Sequence, residues 1–510
     1  MDKQFDVLRN VLTDPRPPTL DPPRKRAVLD EPLICERGSP GRIGYSLPAD
    51  DLPGHGLLPD LPPDLCREAL DGFPEVSEGE VVRHFTRLSQ WNLSAATTLY
   101  PLGSCTMKYN PVVNELVARL PGFAQLHPLI PDECAQGALE LLADLEHGLA
   151  EISGMDAVSL QPAAGAQGEL TGIKLIRAYH QDRGHPRKKV LIPASAHGTN
   201  PASAALCGYG VVEVPTGPAG LLEAATVERL VDAEVAALMV TNPNTLGLFE
   251  REIMQITALL HAHGALVYMD GANLNALMGV AKPGHMGADV IQFNLHKTFS
   301  TPHGGGGPGA GPVGVKKMLE PYLPVPRLVR EQGGYRWSEA FPRSIGRVRS
   351  FYGNFGILVR AYAYILAMGG DGLTQATRMA VLNANYLRKR LEQVYDSAYS
   401  TPCMHECVFS DDSFRHTGVK TLDIAKRLLD YGFYAPTIYF PLVVSGALMI
   451  EPTETESKET LDEFADALLA IAQEIQDNPA ALKDAPLTTP VSRLDETRAA
   501  RHPVLRWEKR

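Results

Sequence analysis

The feature that most constrains this chain is an alternation running from about residue 150 to about residue 300. Short β-branched runs take turns there with amphipathic stretches. Residues 190–192 (Val-Leu-Ile), 211–214, 236–240, 266–269 and 290–293 read as strands. Between them, Leu170, Ile173, Leu175, Ile176 and Tyr179, and then Ile253, Ile256, Leu259 and Leu260, recur at helical spacing. Parallel strands need a crossover, and a helix supplies it, so the pattern predicts βαβ units and a mostly parallel sheet. Ligands of such sheets bind beyond the carboxyl ends of the strands. The residues at those ends are therefore the ones to inspect.

The flanks differ in texture. Residues 1–60 hold Pro15, Pro17, Pro18, Pro22, Pro23, Pro48 and Pro53. Proline fixes φ and removes a backbone donor, so an extended arm is expected, either a disordered tail or a strap on a partner subunit. Residues 61–365 are expected to form a large α/β domain. Beyond it, helical patterns at 376–391, 422–429 and about 458–475 interleave with strand candidates near 406–409, 438–440 and 447–450. These predict a smaller α+β domain with a tail over 366–510. A length of 510 residues suits two or three domains. The net charge of −11 argues against a nucleic-acid binder, which would present a basic face. Seven scattered cysteines without a CxxC pair fit reduced thiols better than a disulfide framework or a zinc site. The start MDKQFDVLRN has no apolar signal region, and no window approaches the roughly 18 apolar residues of a membrane helix. A cytoplasmic location is expected.

Four of the five strands run into polar residues of useful kinds. They lead to Ser195-Ala196-His197-Gly198-Thr199, Thr241-Asn242-Pro243-Asn244, Asp270-Gly271-Ala272-Asn273 and Asn294-Leu295-His296-Lys297-Thr298. One sheet edge thus gathers an imidazole, an amide, a carboxylate and an amine. That set matches the needs of pyridoxal 5'-phosphate (PLP): a lysine to hold the aldehyde and a carboxylate to keep the pyridine nitrogen protonated, with a flat group over the ring. The segment from Gln161 to Glu169, with Gly165, Ala166 and Gln167 at its centre, opens a helix near 168. Small residues at a helix N-terminus let backbone N–H groups approach a phosphate. Four glycines at 304–307 follow the lysine as a turned or flexible loop and fail the dinucleotide fingerprint.

Taken singly, these signals are ordinary. Most lysines are solvated surface groups. Lys297 stands out because it follows an apolar strand, adjoins His296 and trails Asp270 by 27 residues. Asp270-Gly271 alone is a turn signal, and His197 alone reads as a turn or core histidine. Cys105 lacks a base nearby in sequence, which weakens a thiol-nucleophile reading. His84 and His405-Glu406 read as structural groups, and no metal site is expected.

At this level the chain resembles the glycine decarboxylase family, the P-protein of the glycine cleavage system, from about residue 40 to the end. The stretches that carry the likeness are TLYPLGSCTMKYNP (98–111), LQPAAGAQGELTGIKLIRAYH (160–180), PASAHGTNPASA (193–204) and TNPNTLGLFE (241–250). With them go the long segment 270–315, IGRVRSFYGNF (345–355) and EPTETESKETL (451–461). The resemblance is greatest to the PLP-bearing second subunit of the split, two-chain form. It implies the PLP fold type I, with Lys297 holding the cofactor, Asp270 at the pyridine nitrogen, His197 stacked on the ring and Ala272 on its other face. Gly165, Ala166 and Gln167 would cradle the phosphate, Asn242 would meet the phenolic oxygen, and His296 would border the cofactor. His197, His296 and His303 are candidates for a general acid or base titrating near working pH. The implied reaction decarboxylates glycine and passes the aminomethyl group to the lipoyl group of the carrier H-protein. The other half-subunit would complete an α2β2 assembly. Another fold-type I PLP enzyme would share Lys297 and Asp270, and a scaffold subunit would keep the fold without the chemistry.

Overall fold

The computed structural model describes residues 31–46, 48, 62–67, 70, 72–303, 309–331 and 333–508. The expected arm over 1–60 lies largely outside the described residues, and the glycine run at 304–307 lies wholly outside them.

The alternating region folds into a seven-stranded sheet. Its strands are β1 (Ala157–Ser159), β2 (Lys189–Pro193), β3 (Gly210–Val214), β4 (Val235–Thr241), β5 (Leu266–Gly271), β6 (Val290–Phe293) and β7 (Val313–Val315), in the order β1-β7-β6-β5-β4-β2-β3. β3, β2, β4, β5 and β6 run parallel, and β7 is antiparallel to both β6 and β1. The five expected strands are β2 to β6. Every residue of β4, β5 and β6 is buried, as strands covered on both faces must be. Register sets Thr241 beside Asp270, and Asp270 beside Gln292. The carboxyl ends of three central strands therefore form one continuous edge.

The helix Gly165–Asp182 lies directly on this sheet because two of its positions lack side chains. A Cβ on Gly172 would come within 2.6 Å of the Tyr268 ring, and one on Gly168 within 2.5 Å of the Gly311 carbonyl oxygen. The close seat sends the helix N-terminus to the edge where Asp270 and Lys297 emerge.

Near the C-terminus, β10 (Asp396–Ser397), β11 (Cys407–Ser410), β12 (Thr437–Ile438) and β13 (Leu448–Ile450) pair antiparallel in the order β10-β11-β13-β12. The hairpin of β8 (Arg327–Glu331) and β9 (Gly334–Ser338) stands apart from both sheets. The helices Thr421–Asp430 and Lys458–Asp477 cover the small sheet, and Ser457 caps the second by accepting the Thr460 N–H at 3.2 Å. The long helix Phe355–Leu391 serves two cores. Ile357 to Ala376 pack against the large sheet, and Ala384 to Leu391 against the small one. Gly369 (φ 59°, ψ −177°) interrupts its helical path. Leu99 reaches forward into the second core, and Leu102 bridges to Ile450. The segment carrying Ser104 and Cys105 is thus held at the junction.

The described part of the arm is tied to the fold through Ser39 and Gly41 at Glu75, Arg42 at Glu80, and Glu31. Buried Glu31 takes His84 Nδ1 (2.7 Å) and Arg37 Nη2 (2.7 Å), and it also bonds Arg87. His84 is accordingly a hydrogen-bond partner of Glu31 inside the fold.

Candidate active site

At the carboxyl edge of the large sheet lies a cavity of about 590 Å³, within the range of small-molecule sites. Its wall includes Lys297, Asp270, His197, Ala272, Gly165, Ala166 and His296, which the structure brings together from four separate strand ends.

Lys297 stands in the short helical turn Leu295–Thr298 that follows β6. Its Nζ donates to Asn294 Oδ1 (3.3 Å) when that amide is oriented to suit its neighbours, and Asn294 Nδ2 then donates to Gln292 Oε1 (2.6 Å). Gln292 Nε2 donates in turn to Asp270 Oδ1 (2.5 Å), which also accepts the Ala272 N–H (2.9 Å). Asp270 is thus a buried acid with two N–H donors on one oxygen. Asn294 and Gln292 were not among the expected site residues, although they occupy the end of β6 and the position just beyond it.

His197 follows β2, with Nδ1 at 2.8 Å from Thr199 Oγ1. His296 and His303 meet edge to face with ring centroids 4.7 Å apart. The expectation that they titrate near neutrality is corrected here. Burial, together with their own proximity and the charge of Lys297, holds His296 down at about 3. Burial and Lys297 hold His303 at about 4. Both rings are neutral at pH 7.

Gly165 and Ala166 begin the helix Gly165–Asp182, and among the described residues no side chain caps its N-terminus, so its first N–H groups are left for an anion. Gln167 braces this loop from behind. Its Oε1 accepts the Ala163 N–H (2.7 Å) and its Nε2 donates to the Val348 carbonyl (2.6 Å). Asn242 does not reach the wall either. Its Oδ1 accepts the Glu250 N–H (3.0 Å), while the preceding Thr241 lines the cavity with a buried hydroxyl that has no partner among the described residues.

Several wall residues come from far off in the sequence. Arg349 lines the cavity and donates to Asn354 Oδ1 (2.6 Å), and Asn354 holds the Ala163 carbonyl (3.1 Å). Ser104 and Cys105 enter on a loop with left-handed backbone at Ser104 (φ 58°) and Thr106 (φ 46°). Two buried carboxyl groups clamp that loop. Glu406 accepts the Ser104 N–H (2.7 Å) and hydroxyl (3.1 Å), and Glu451 the Thr106 N–H (2.9 Å) and hydroxyl (2.6 Å). Burial and the neighbouring Glu451 push Glu406 well above the carboxylate range. Burial likewise raises the Cys105 thiol, so it is not a thiolate. The motif GSCTMK and the residues Glu406 and Glu451 were visible in the sequence, but their pairing needs the fold.

The residues fit PLP on two structural grounds, both read among the described residues: an uncapped helix N-terminus for its phosphate, and buried polar atoms left without partners around the space for its ring, namely Glu169 Oε2, Thr241 Oγ1 and Asn273 Oδ1. Combined with a mostly parallel sheet that meets its ligand at the carboxyl edge, this layout is that of the PLP-dependent enzymes of fold type I. The model of the family described as "Glycine cleavage system P-protein" matches residues 57–332, and that described as "Glycine dehydrogenase, C-terminal domain" matches residues 376–488. The chain belongs to the glycine cleavage system P-protein family. It is 55% identical over 479 residues to the probable glycine dehydrogenase (decarboxylating) subunit 2 of Listeria monocytogenes serotype 4b, covering 94% of this chain and 98% of that one. The protein of the same name from Chlorobium chlorochromatii is 58% identical over 474 residues, covering 93% and 98%. The fold matches a crystal structure of glycine decarboxylase (P-protein) in inhibitor-bound form, with TM-score 0.69, 22% identity and coverage of 81% and 94%. It also matches the C-DES enzyme with glycine covalently linked to its PLP cofactor, with TM-score 0.57, 16% identity and coverage of 73% and 96%.

Proposed function

We propose that this chain decarboxylates glycine, releasing CO2, and passes the aminomethyl group to the lipoyl group of a carrier H-protein. The observation that carries the reading is one cavity that unites Lys297, Asp270 and His197 in a chain of the P-protein family. PLP, when bound, serves as the sink for the electrons that the departing carboxyl group leaves behind. Lys297 is the residue to hold its aldehyde. Asp270 would face the pyridine nitrogen and keep it protonated, and the Ala272 and Gln292 N–H groups hold its carboxyl in place. His197 and Ala272 bound the ring, and Gly165 and Ala166 present backbone to the phosphate. Arg349, steadied by Asn354, brings a guanidinium to the wall that suits the glycine carboxylate. The neutral rings of His296 and His303 add no positive charge to compete with Lys297.

The relatives' names carry the words "subunit 2", which supports a second, partner half-enzyme for this chain. An α2β2 assembly in the cytoplasm is part of the proposal, and the seven free cysteines are in keeping with a reducing compartment. Among the described residues no helix is long and apolar enough to cross a membrane.

Exchange of labelled bicarbonate into the carboxyl group of glycine tests the reading, run with PLP and lipoylated carrier, with and without the partner subunit. Exchange only with the partner supports both the reaction and the two-subunit form. Exchange without it removes the partner requirement. No exchange in a protein that holds PLP normally would overturn glycine as the substrate.

A further inference from the structure

One buried acid at the cavity, Glu169, bears on the fit to PLP only through its unpartnered Oε2. Glu169 lies four residues beyond Gly165 on the same helix, a spacing that sets both on one face, and both line the cavity. It is 5% exposed. Its Oε1 meets Thr199 Oγ1 at 2.9 Å, and its Oε2 has no partner among the described residues. Thr199 touches His197 twice, through Oγ1 at 2.8 Å and through its backbone N–H at 3.3 Å, both on Nδ1. A three-residue line therefore runs from Glu169 through one hydroxyl to one nitrogen of His197.

The hydrogen-bond inventory settles where the protons sit. Two acids share this wall, and Asp270 has two N–H donors on Oδ1, whereas Glu169 has one hydroxyl and a bare oxygen. A buried carboxylate with a bare oxygen is the costlier anion. Glu169 is then the member that keeps its proton. The charged and titratable groups facing Glu169 are Asp270 and Tyr268 on β5, Lys297 beyond β6 and His197 beyond β2. Burial and the charge of Asp270 outweigh Thr199 and Lys297, and raise Glu169 to about 8.

A threonine hydroxyl carries one hydrogen, so its two neighbours cannot be set independently. With Glu169 neutral, its O–H donates to Thr199 Oγ1 and the Thr199 O–H donates to His197 Nδ1. Nδ1 then accepts from the Thr199 backbone N–H as well, and the ring proton is on Nε2. With Glu169 ionised, the hydroxyl turns to the carboxylate and His197 must donate from Nδ1. The backbone N–H at 3.3 Å fits only the first state, in which Nδ1 is an acceptor.

We propose that Glu169 is a positioning residue which, as a neutral acid acting through the Thr199 hydroxyl, fixes the Nε2–H tautomer of His197. The consequence is a ring with a donor N–H on the side away from Thr199, lost when Glu169 ionises. This deepens the reading of His197 as the group over the cofactor ring and rests on that reading for its importance. Its test does not rest on turnover.

The test is 15N NMR of the full chain labelled at histidine, free of PLP and loaded with it, with His197 assigned by its loss in His197→Asn. Nitrogen shifts report which ring nitrogen carries the proton. The expected result is Nε2–H at pH 7, moving to Nδ1–H as the pH passes the ionisation of Glu169. Glu169→Gln donates to Thr199 without ionising, so His197 should keep Nε2–H at every pH above the protonation of its own ring. Thr199→Val cuts the line and should also remove the pH response, which guards against a poorly folding Glu169 variant. Nδ1–H in the unmodified chain at pH 7, or the same pH course in Glu169→Gln as in the unmodified chain, would overturn the proposal. Failure of glycine exchange would sink the reaction yet leave this assignment of the ring proton intact.

Discussion

Replacing Asp270 should separate the electronics of the site from its architecture. Asp270 Oδ1 accepts two N–H groups, from Ala272 at 2.9 Å and Gln292 at 2.5 Å. Asp270→Asn keeps an oxygen there, so both donors stay satisfied and stability should change by less than about 1 kcal/mol. What is lost is the carboxylate's negative charge opposite the pyridine nitrogen. A hydrogen bond to a charged group contributes about 1.5–3 kcal/mol, so PLP affinity should fall roughly 10- to 150-fold. Removing an electrostatic stabiliser of developing charge costs about 2.7–4 kcal/mol, or roughly a hundred- to a thousand-fold in rate at saturating PLP. Activity should therefore fall further than affinity. Asp270→Ala adds a structural penalty, because it strands both donors in a buried place at about 1–3 kcal/mol each. The assay combines bicarbonate exchange at saturating PLP, a PLP titration and a thermal melt for each variant. Near-normal turnover in Asp270→Asn would refute the role of the charge. Equal melting of the Ala and Asn variants would refute the hydrogen-bond account.

Two further outcomes follow from the packing. Gly168→Ala would set its Cβ 2.5 Å from the Gly311 carbonyl and 3.1 Å from Gln292 Cβ, and a backbone carbonyl yields poorly. The overpacking cost of about 1–3 kcal/mol should exceed the roughly 1 kcal/mol gained in helix propensity, and PLP affinity should drop as Gln292 is displaced; denaturant melts and a PLP titration check both. The hydrogen bond from His261 Nε2 to Asp289 Oδ2, 2.8 Å long, raises the histidine pKa above 6.5. A raised folded pKa contributes stability that is whole below the unfolded value and fades as pH rises through the folded one. Unfolding midpoints should fall as pH climbs above 6.5, and His261→Gln should flatten that slope.

Much of this architecture is legible in the sequence because β2, β4, β5 and β6 are apolar runs long enough to be buried on both faces, while β3 at the sheet edge shows through its β-branched residues. The strands β1 and β7 are not legible, since Ala-Val-Ser and Val-Gly-Val are three residues each and gain strand identity only by pairing with neighbours already in place. The rule that ligands bind at strand ends brought Lys297, Asp270 and His197 to one cavity, but it does not choose a face. Thr241 and Asn242 are adjacent, so they point opposite ways, and it is Thr241 that lines the cavity. Glu169 was hidden inside a motif read only as a phosphate loop. Val348, which neighbours Arg349 and donates to Gln161, and the clamp of Glu406 and Glu451 on Ser104 and Thr106 join segments 187 to 345 residues apart, which no local pattern records. The depressed histidines are a packing result, because nothing near His296 in sequence reports its desolvation.

The central claim is that Lys297 carries the cofactor in a site that handles glycine. Its most direct test is borohydride reduction of the PLP-loaded protein followed by peptide mass mapping. The account predicts a single reduced pyridoxyl adduct on Lys297 that forms less when glycine is present during reduction. An adduct on another lysine, or one on Lys297 that glycine leaves unchanged, would contradict it.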